Sequence, residues 1–167
     1  MIEIDLRCPN CGGRLEININ REKSFCPYCN SEFSVYRKLN EKLEKVKKIC
    51  FEFKDAEWYV AASENLKETQ IYKKAQKHFR IPEEEDVFLI CDTTVWDTCK
   101  KGFAICSNGL YLRGDGMKKS KHLTWERFKT ATIHGKDALV IEDVSFITSD
   151  TLVPQLEDLL KKIQRII

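Results

Sequence analysis

The chain has 167 residues, of which 43% are apolar and 32% charged, with a formal net charge of +2. That balance is ordinary for a globular protein, and so small a net charge is no argument for a nucleic-acid partner. The apolar runs are only a few residues long, short of the roughly 20 that span a bilayer, and the start MIEIDLRCPN lacks the basic-then-apolar pattern of a secretory leader, so the expectation is a cytoplasmic protein.

Residues 1–36 hold Cys8-Pro9-Asn10-Cys11 and Cys26-Pro27-Tyr28-Cys29, separated by fourteen residues. A CxxC turn lets two thiolates converge on one ion, and four thiolates close a tetrahedral shell with no open position. A redox pair is the other reading of CxxC, but such motifs come singly on a βαβ background. Gly12-Gly13 suits the turn behind the first pair. Leu15, Ile17 and Ile19 alternate with polar residues as a half-buried strand does, and Ser24-Phe25 and Glu32–Tyr36 can pair with it. Two CPxC knuckles with a β-hairpin between them resemble the zinc ribbon family. The resemblance implies one structural Zn2+ on Cys8, Cys11, Cys26 and Cys29, with metal supplying the folding energy of so small a module.

Residues 37–82 change character. Leu39, Leu43, Val46, Ile49/Cys50 and Phe53 recur at helical spacing, which predicts an amphipathic helix over 37–53. Its two heptads fall short of a coiled coil, though a homodimer through it stays open. Asn65 with Glu68 three residues on predicts a second helix running to Arg80, where Ile81-Pro82 stops it. Asp55–Ala62 reads as a short helix. The segment carries twelve basic against seven acidic residues, as the solvated face of amphipathic helices does.

Residues 83–167 read as seven short strands and a closing helix. The strands are predicted at Val87–Cys91, Lys101–Cys106, Leu110–Arg113, Lys119–Thr124, Phe128–Ile133, Ala138–Ile141 and Ser145–Thr148, with turns at Asn108-Gly109, Gly114-Asp115-Gly116 and Gly135-Lys136-Asp137. Asn-Gly is expected to supply the positive φ of a tight hairpin. Leu152, Leu156, Leu159, Ile163 and Ile166 then fall on one helical face, with Pro154 tolerable in the first turn.

Seven strands and a C-terminal helix, together with Gly102-Phe103-Ala104-Ile105, Asn108-Gly109-Leu110-Tyr111 and Leu123-Thr124-Trp125-Glu126-Arg127-Phe128, are similar to bacterial PH-like and GRAM-like domains. The resemblance implies an α+β chain: a small β zinc ribbon, a helical connector, and a seven-stranded antiparallel PH-like barrel capped by the last helix. It places Trp125 at the end of the fourth strand, as a core anchor over the barrel mouth. It also sets the loops Thr93–Lys100 and Gly114–Met117 side by side, where lipid-binding relatives hold anionic headgroups. Lys100, Lys101, Arg113, Lys118, Lys119 and Lys121 flank those loops and form a candidate site for an anionic partner. The chain departs from those relatives in lacking the first-strand Lys and the K/R-x-R of the second, and Asp92 and Asp97 dilute the charge.

Motifs for catalysis are missing from the sequence. His78, His122 and His134 stand in no metal-ligand spacing, and no phosphate-binding glycine loop occurs. Cys50, Cys91, Cys99 and Cys106 are irregularly spaced and read as core residues, while Asp92, Asp97 and Asp115 fit turns and loops. The expectation is a non-enzymatic binding or adaptor protein whose partner is another protein. Peripheral binding to anionic membrane lipid through the basic loops is an alternative. Nucleic-acid binding through the ribbon is weaker, because Met1–Val35 carries four basic and five acidic residues.

Overall fold

The computed structural model describes residues 6–8, 10–15, 23–53, 60–94, 96 and 98–167. The expected strand positions Ile17 and Ile19, the segment 55–59 and Asp97 lie outside them. The chain divides into two compact units, Met1–Glu44 and Lys45–Ile167, with the division inside one helix.

In the first unit, β1 (Leu6–Arg7) pairs antiparallel with β2 (Arg14–Leu15), and β3 (Lys23–Phe25) with β4 (Glu32–Ser34). Among the described residues these are two separate two-stranded ladders, each carrying one cysteine knuckle. Val35 and Tyr36, expected in the last strand, instead open helix α1 (Val35–Glu52).

The second unit is built on a five-stranded antiparallel sheet in sequence order: β5 (Val60–Ala61), β6 (Val87–Asp92), β7 (Gly102–Cys106), β8 (Gly109–Arg113) and β9 (Lys121–Thr124). The expected helix over 55–62 is therefore wrong at its end, because Val60 and Ala61 pair with Cys91 and Ile90. Every residue of β6 and β7 is buried, which a sheet achieves only when both of its faces are covered.

The register sorts those faces. Ile90, Ala104 and Tyr111 stand in one row, packed in a cluster with Tyr72, Ala75 and Phe79 of α2 (Gln70–Phe79). Thr69 caps α2, accepting from the Tyr72 amide at 3.2 Å. The expected cap Asn65 makes no side-chain bond; it precedes a single 3-10 turn, Leu66–Glu68. The opposite row holds Leu89, Ile105, Leu110 and Leu123, with Phe103 and Leu112 beside it.

On that second face Phe103 meets Phe146 edge-on, ring centroids 5.6 Å apart. Phe146 belongs to a three-stranded sheet of β10 (Ile133–Gly135), β11 (Leu139–Ile141) and β12 (Val144–Phe146). The last helix, α4 (Leu152–Ile166), buries Leu152, Val153, Leu156, Leu159, Leu160 and Ile163 and packs on β10 and β11. Gly135 makes that approach close, since a Cβ there would stand 2.4 Å from Val153 Cγ1.

The α+β class holds, and the closed seven-stranded barrel does not form: the strands make a five-stranded and a three-stranded sheet. One predicted strand is overturned. The first half of Phe128–Ile133 belongs to helix α3 (Trp125–Thr130), with Thr124 as its cap and Glu126 in its first turn, and strand β10 starts only at Ile133. A six-residue helix with Phe128 as its one buried position is too short for periodicity to tell it from a strand. The Asn-Gly hairpin exists, but the positive φ sits on Gly109 alone, at 133°. A Cβ on Gly109 would lie 2.2 Å from Leu123 O, so close approach of β9 is what demands glycine there.

Candidate functional site

The two CPxC segments fold into knuckles with the same hydrogen bonds. In the first, Cys8 N donates to Gly13 O at 2.8 Å and Gly12 N to Cys8 O at 2.9 Å; in the second, Cys26 N donates to Ser31 O at 3.0 Å and Asn30 N to Cys26 O at 2.9 Å. Both knuckles turn through the left-handed region at the same place, Gly12 with φ 74° and Asn30 with φ 57°. Glycine and asparagine are the residues that reach that region at least cost. The turns aim backbone amides at sulfur: Asn10 N and Tyr28 N each stand 3.4 Å from the Sγ of Cys8 and Cys26.

The four sulfurs of Cys8, Cys11, Cys26 and Cys29 lie within 4.8 Å of one another, and all four are free thiols. Cys8 and Cys29 are separated by 3.6 Å, as are Cys11 and Cys26, too far for a disulfide. Thiolates at about 2.3 Å from a tetrahedral ion would stand about 3.8 Å apart. The donor set and its spacing fit a metal ion. Ser31 Oγ is 2.9 Å from Cys29 Sγ and 3.5 Å from Cys8 Sγ, and Asn10 Nδ2 donates toward Cys29 at 3.9 Å. These bonds favour thiolate: the Ser31 hydroxyl is the main cause that holds Cys8 down at about 6 and also lowers Cys29. Cys11 is pushed up to about 12; the Gly13 backbone favours its thiolate, but the Cys29 sulfur, burial and the other two sulfurs outweigh that. Sulfurs that crowd one another in this way gain from a shared cation. Neither Ser31 nor Asn10 was singled out by the sequence reading; both lie within two residues of a cysteine, the only signal available.

The six basic residues do not all come together. β8 places Arg113 on the α2 face, where Nη1 donates to His78 O at 3.4 Å, while Lys121 sits opposite Leu112 on the other face. Lys121 is held by Glu142 at 2.8 Å and by Asp143, and those two carboxylates, Asp143 first, raise its pKa. Lys101 pairs with Asp115. Lys100, Lys118 and Lys119 remain exposed, with no ion pair among the described residues. The same end of the sheet holds the buried atoms Thr93 Oγ1, Arg113 Nε and Thr148 Oγ1, which have no hydrogen-bond partner among the described residues.

Other candidates settle into structure. Asp92 is buried and closes its loop, accepting from Thr94 N and Cys99 N, each at 2.9 Å. Cys50, Cys91, Cys99 and Cys106 are all buried, and they form no metal-holding group among the described residues. His122 is exposed and stacks on Tyr111, ring centroids 4.4 Å apart. Sequence reasoning passed over Trp96, which is 84% exposed, and Phe25, Tyr28 and Ile147, which are also large, apolar and open to solvent. Among the described residues no helix is long and apolar enough to cross a membrane. Comparison of this chain with protein-family models, with curated proteins and with solved structures gave no match.

Proposed function

We propose that this chain is a non-enzymatic recognition protein of the cytoplasm: a zinc ribbon, stabilised by one Zn2+, carried with a PH-like β-domain, and acting by binding another protein. The observation that carries the reading is the closed set of four cysteine sulfurs at tetrahedral spacing. Four protein ligands leave an ion no position for substrate, which is the mark of a structural site. The order of four strands β6–β9, three strands β10–β12 and a terminal helix supports the PH-like part. The exposed aromatics Phe25 and Tyr28, standing on either side of Cys26, suit a contact surface, since aromatic side chains are enriched where proteins meet.

The test is recovery of the tagged chain from its own cells after nuclease and detergent treatment. A stoichiometric protein that stays bound supports the reading. Recovery of nucleic acid or lipid alone overturns it.

A further inference from the structure

Two loops and a strand end meet at one carboxylate. Asp115, in the turn after β8, takes Lys101 Nζ at 2.5 Å from the loop between β6 and β7, and the Ile147 amide at 2.8 Å from the end of β12. The register Asp92–Gly102–Arg113 puts both loops at the same end of the sheet. This end therefore carries Trp96, 84% exposed, Ile147, 65% exposed, and the exposed Lys100, Lys118 and Lys119.

Both ends of the loop that carries Trp96 are tied to one carboxylate. Asp92, 1% exposed, accepts from Thr94 N, from Thr94 Oγ1 at 2.6 Å and from Cys99 N. Thr94 Oγ1 in turn accepts from Thr98 N at 3.0 Å. Cys99 takes φ 50°, a conformation costly for a residue other than glycine, and its amide bond to Asp92 holds it there. Trp96 stands exposed between these tied ends, so its side chain removes little apolar area from water in the free chain.

From these contacts we infer that this end of the β-domain is a docking surface for an extended acidic peptide segment with apolar side chains, the apolar groups packing on Trp96 and Ile147 and the carboxylates meeting Lys100, Lys118 and Lys119. The inference rests on the protein-recognition reading above and adds the surface and the partner's chemistry. Tryptophan is the residue type most enriched among those that dominate binding energy, and it acts where surrounding polar contacts exclude water. Tied loop ends lower the ordering cost of binding. Lys101 is already paired with Asp115, so the free charge is carried by Lys100, Lys118 and Lys119, which discrete carboxylates on a peptide can meet one by one.

The experiment selects a random linear peptide library on the full-length, metal-loaded protein and measures the enriched peptides by fluorescence polarisation. Enriched peptides should be acidic and apolar, and should lose roughly tenfold or more in affinity with Trp96→Ala and with Lys118→Glu/Lys119→Glu. Both variants alter exposed side chains, so their melting curves should match the parent's, which separates lost binding from lost folding. Peptides that bind Trp96→Ala as well as the parent overturn this surface while leaving protein recognition standing elsewhere. No enrichment overturns the inference, whereas partner recovery tests the broader reading separately. Vesicles containing phosphatidylserine form the other arm; Trp96-dependent binding to them without peptide binding overturns the inference in favour of a lipid surface.

Discussion

Around the four cysteines the buried cluster consists of Cys8, Leu15 and Cys26 with Cys29 packed against it, whereas in the second unit a sheet is covered on both faces and Leu89, Ile90, Phe103, Ile105, Leu110, Leu112 and Phe128 are all fully buried. The difference is in what holds each region together. Three of the four residues in the first cluster are cysteines, which leaves little apolar burial and a donor set that could hold an ion. The second region is held by apolar burial, with removal of apolar area from water contributing about 25 cal/mol per Å2. Perturbations should therefore divide cleanly between the two.

The largest expected effect is on the first region. Cys26→Ser removes a buried member of the four-sulfur cluster; it should cost most of a metal-binding energy on the order of 10–16 kcal/mol and unfold this region. Metal content and the amide spectrum of residues 6–34 report it, and retained metal with an unchanged spectrum would contradict it. Phe103→Ala is the counterpart in the second region. Truncating a fully buried phenylalanine costs about 3–5 kcal/mol, read from denaturant melts, and should leave metal content at one per chain.

A smaller effect sharpens the comparison inside the second region. Glu85 is 3% exposed and accepts from Ser107 Oγ at 2.6 Å and from Asn108 N at 3.2 Å, so it ties the segment leading into β6 to the β7–β8 turn. Glu85→Ala leaves those donors without their acceptor and should cost about 1–3 kcal/mol; a melt unchanged from the parent would show that water replaces it freely. The smallest effect returns to the first region. Asn30→Gly keeps the left-handed turn at φ 57° and should change metal affinity little, whereas Asn30→Val should weaken it, measured by competition with a chelator. Equal affinities in the two variants would remove the strain argument.

The four-cysteine cluster was the most legible part of the chain, because CxxC spacing alone brings thiols together and the fourteen intervening residues give the second knuckle room to fold back. Strands β6 to β9 were legible from apolar runs broken by turn residues, and α4 from its apolar stripe. What could not be read locally was the partner of each face. The run Val87-Phe-Leu-Ile-Cys91 is apolar at every position, and that pattern does announce a strand covered on both sides. It does not say that α2 covers one face and β10–β12 the other. The strand expected at Phe128–Ile133 failed for another reason: Thr124 caps a helix there, and Trp125 opens that helix half-buried, its Nε1 donating to Ser107 O at 2.7 Å and its ring edge-on to Phe128. Single residues such as Trp96 carry no sequence signal of exposure, since burial of a loop side chain depends on what the distant chain leaves open.

The central claim is that an ion holds the first region and apolar packing the second. It is tested most directly by removing metal with a chelator while following the two regions separately, by amide resonances of residues 6–34 for one and by the thermal transition of the β-domain for the other. The account predicts one metal released per chain, collapse of the first set of resonances, and a thermal transition that stays where it was. Resonances that survive complete metal removal, or a β-domain transition lost together with them, would contradict it.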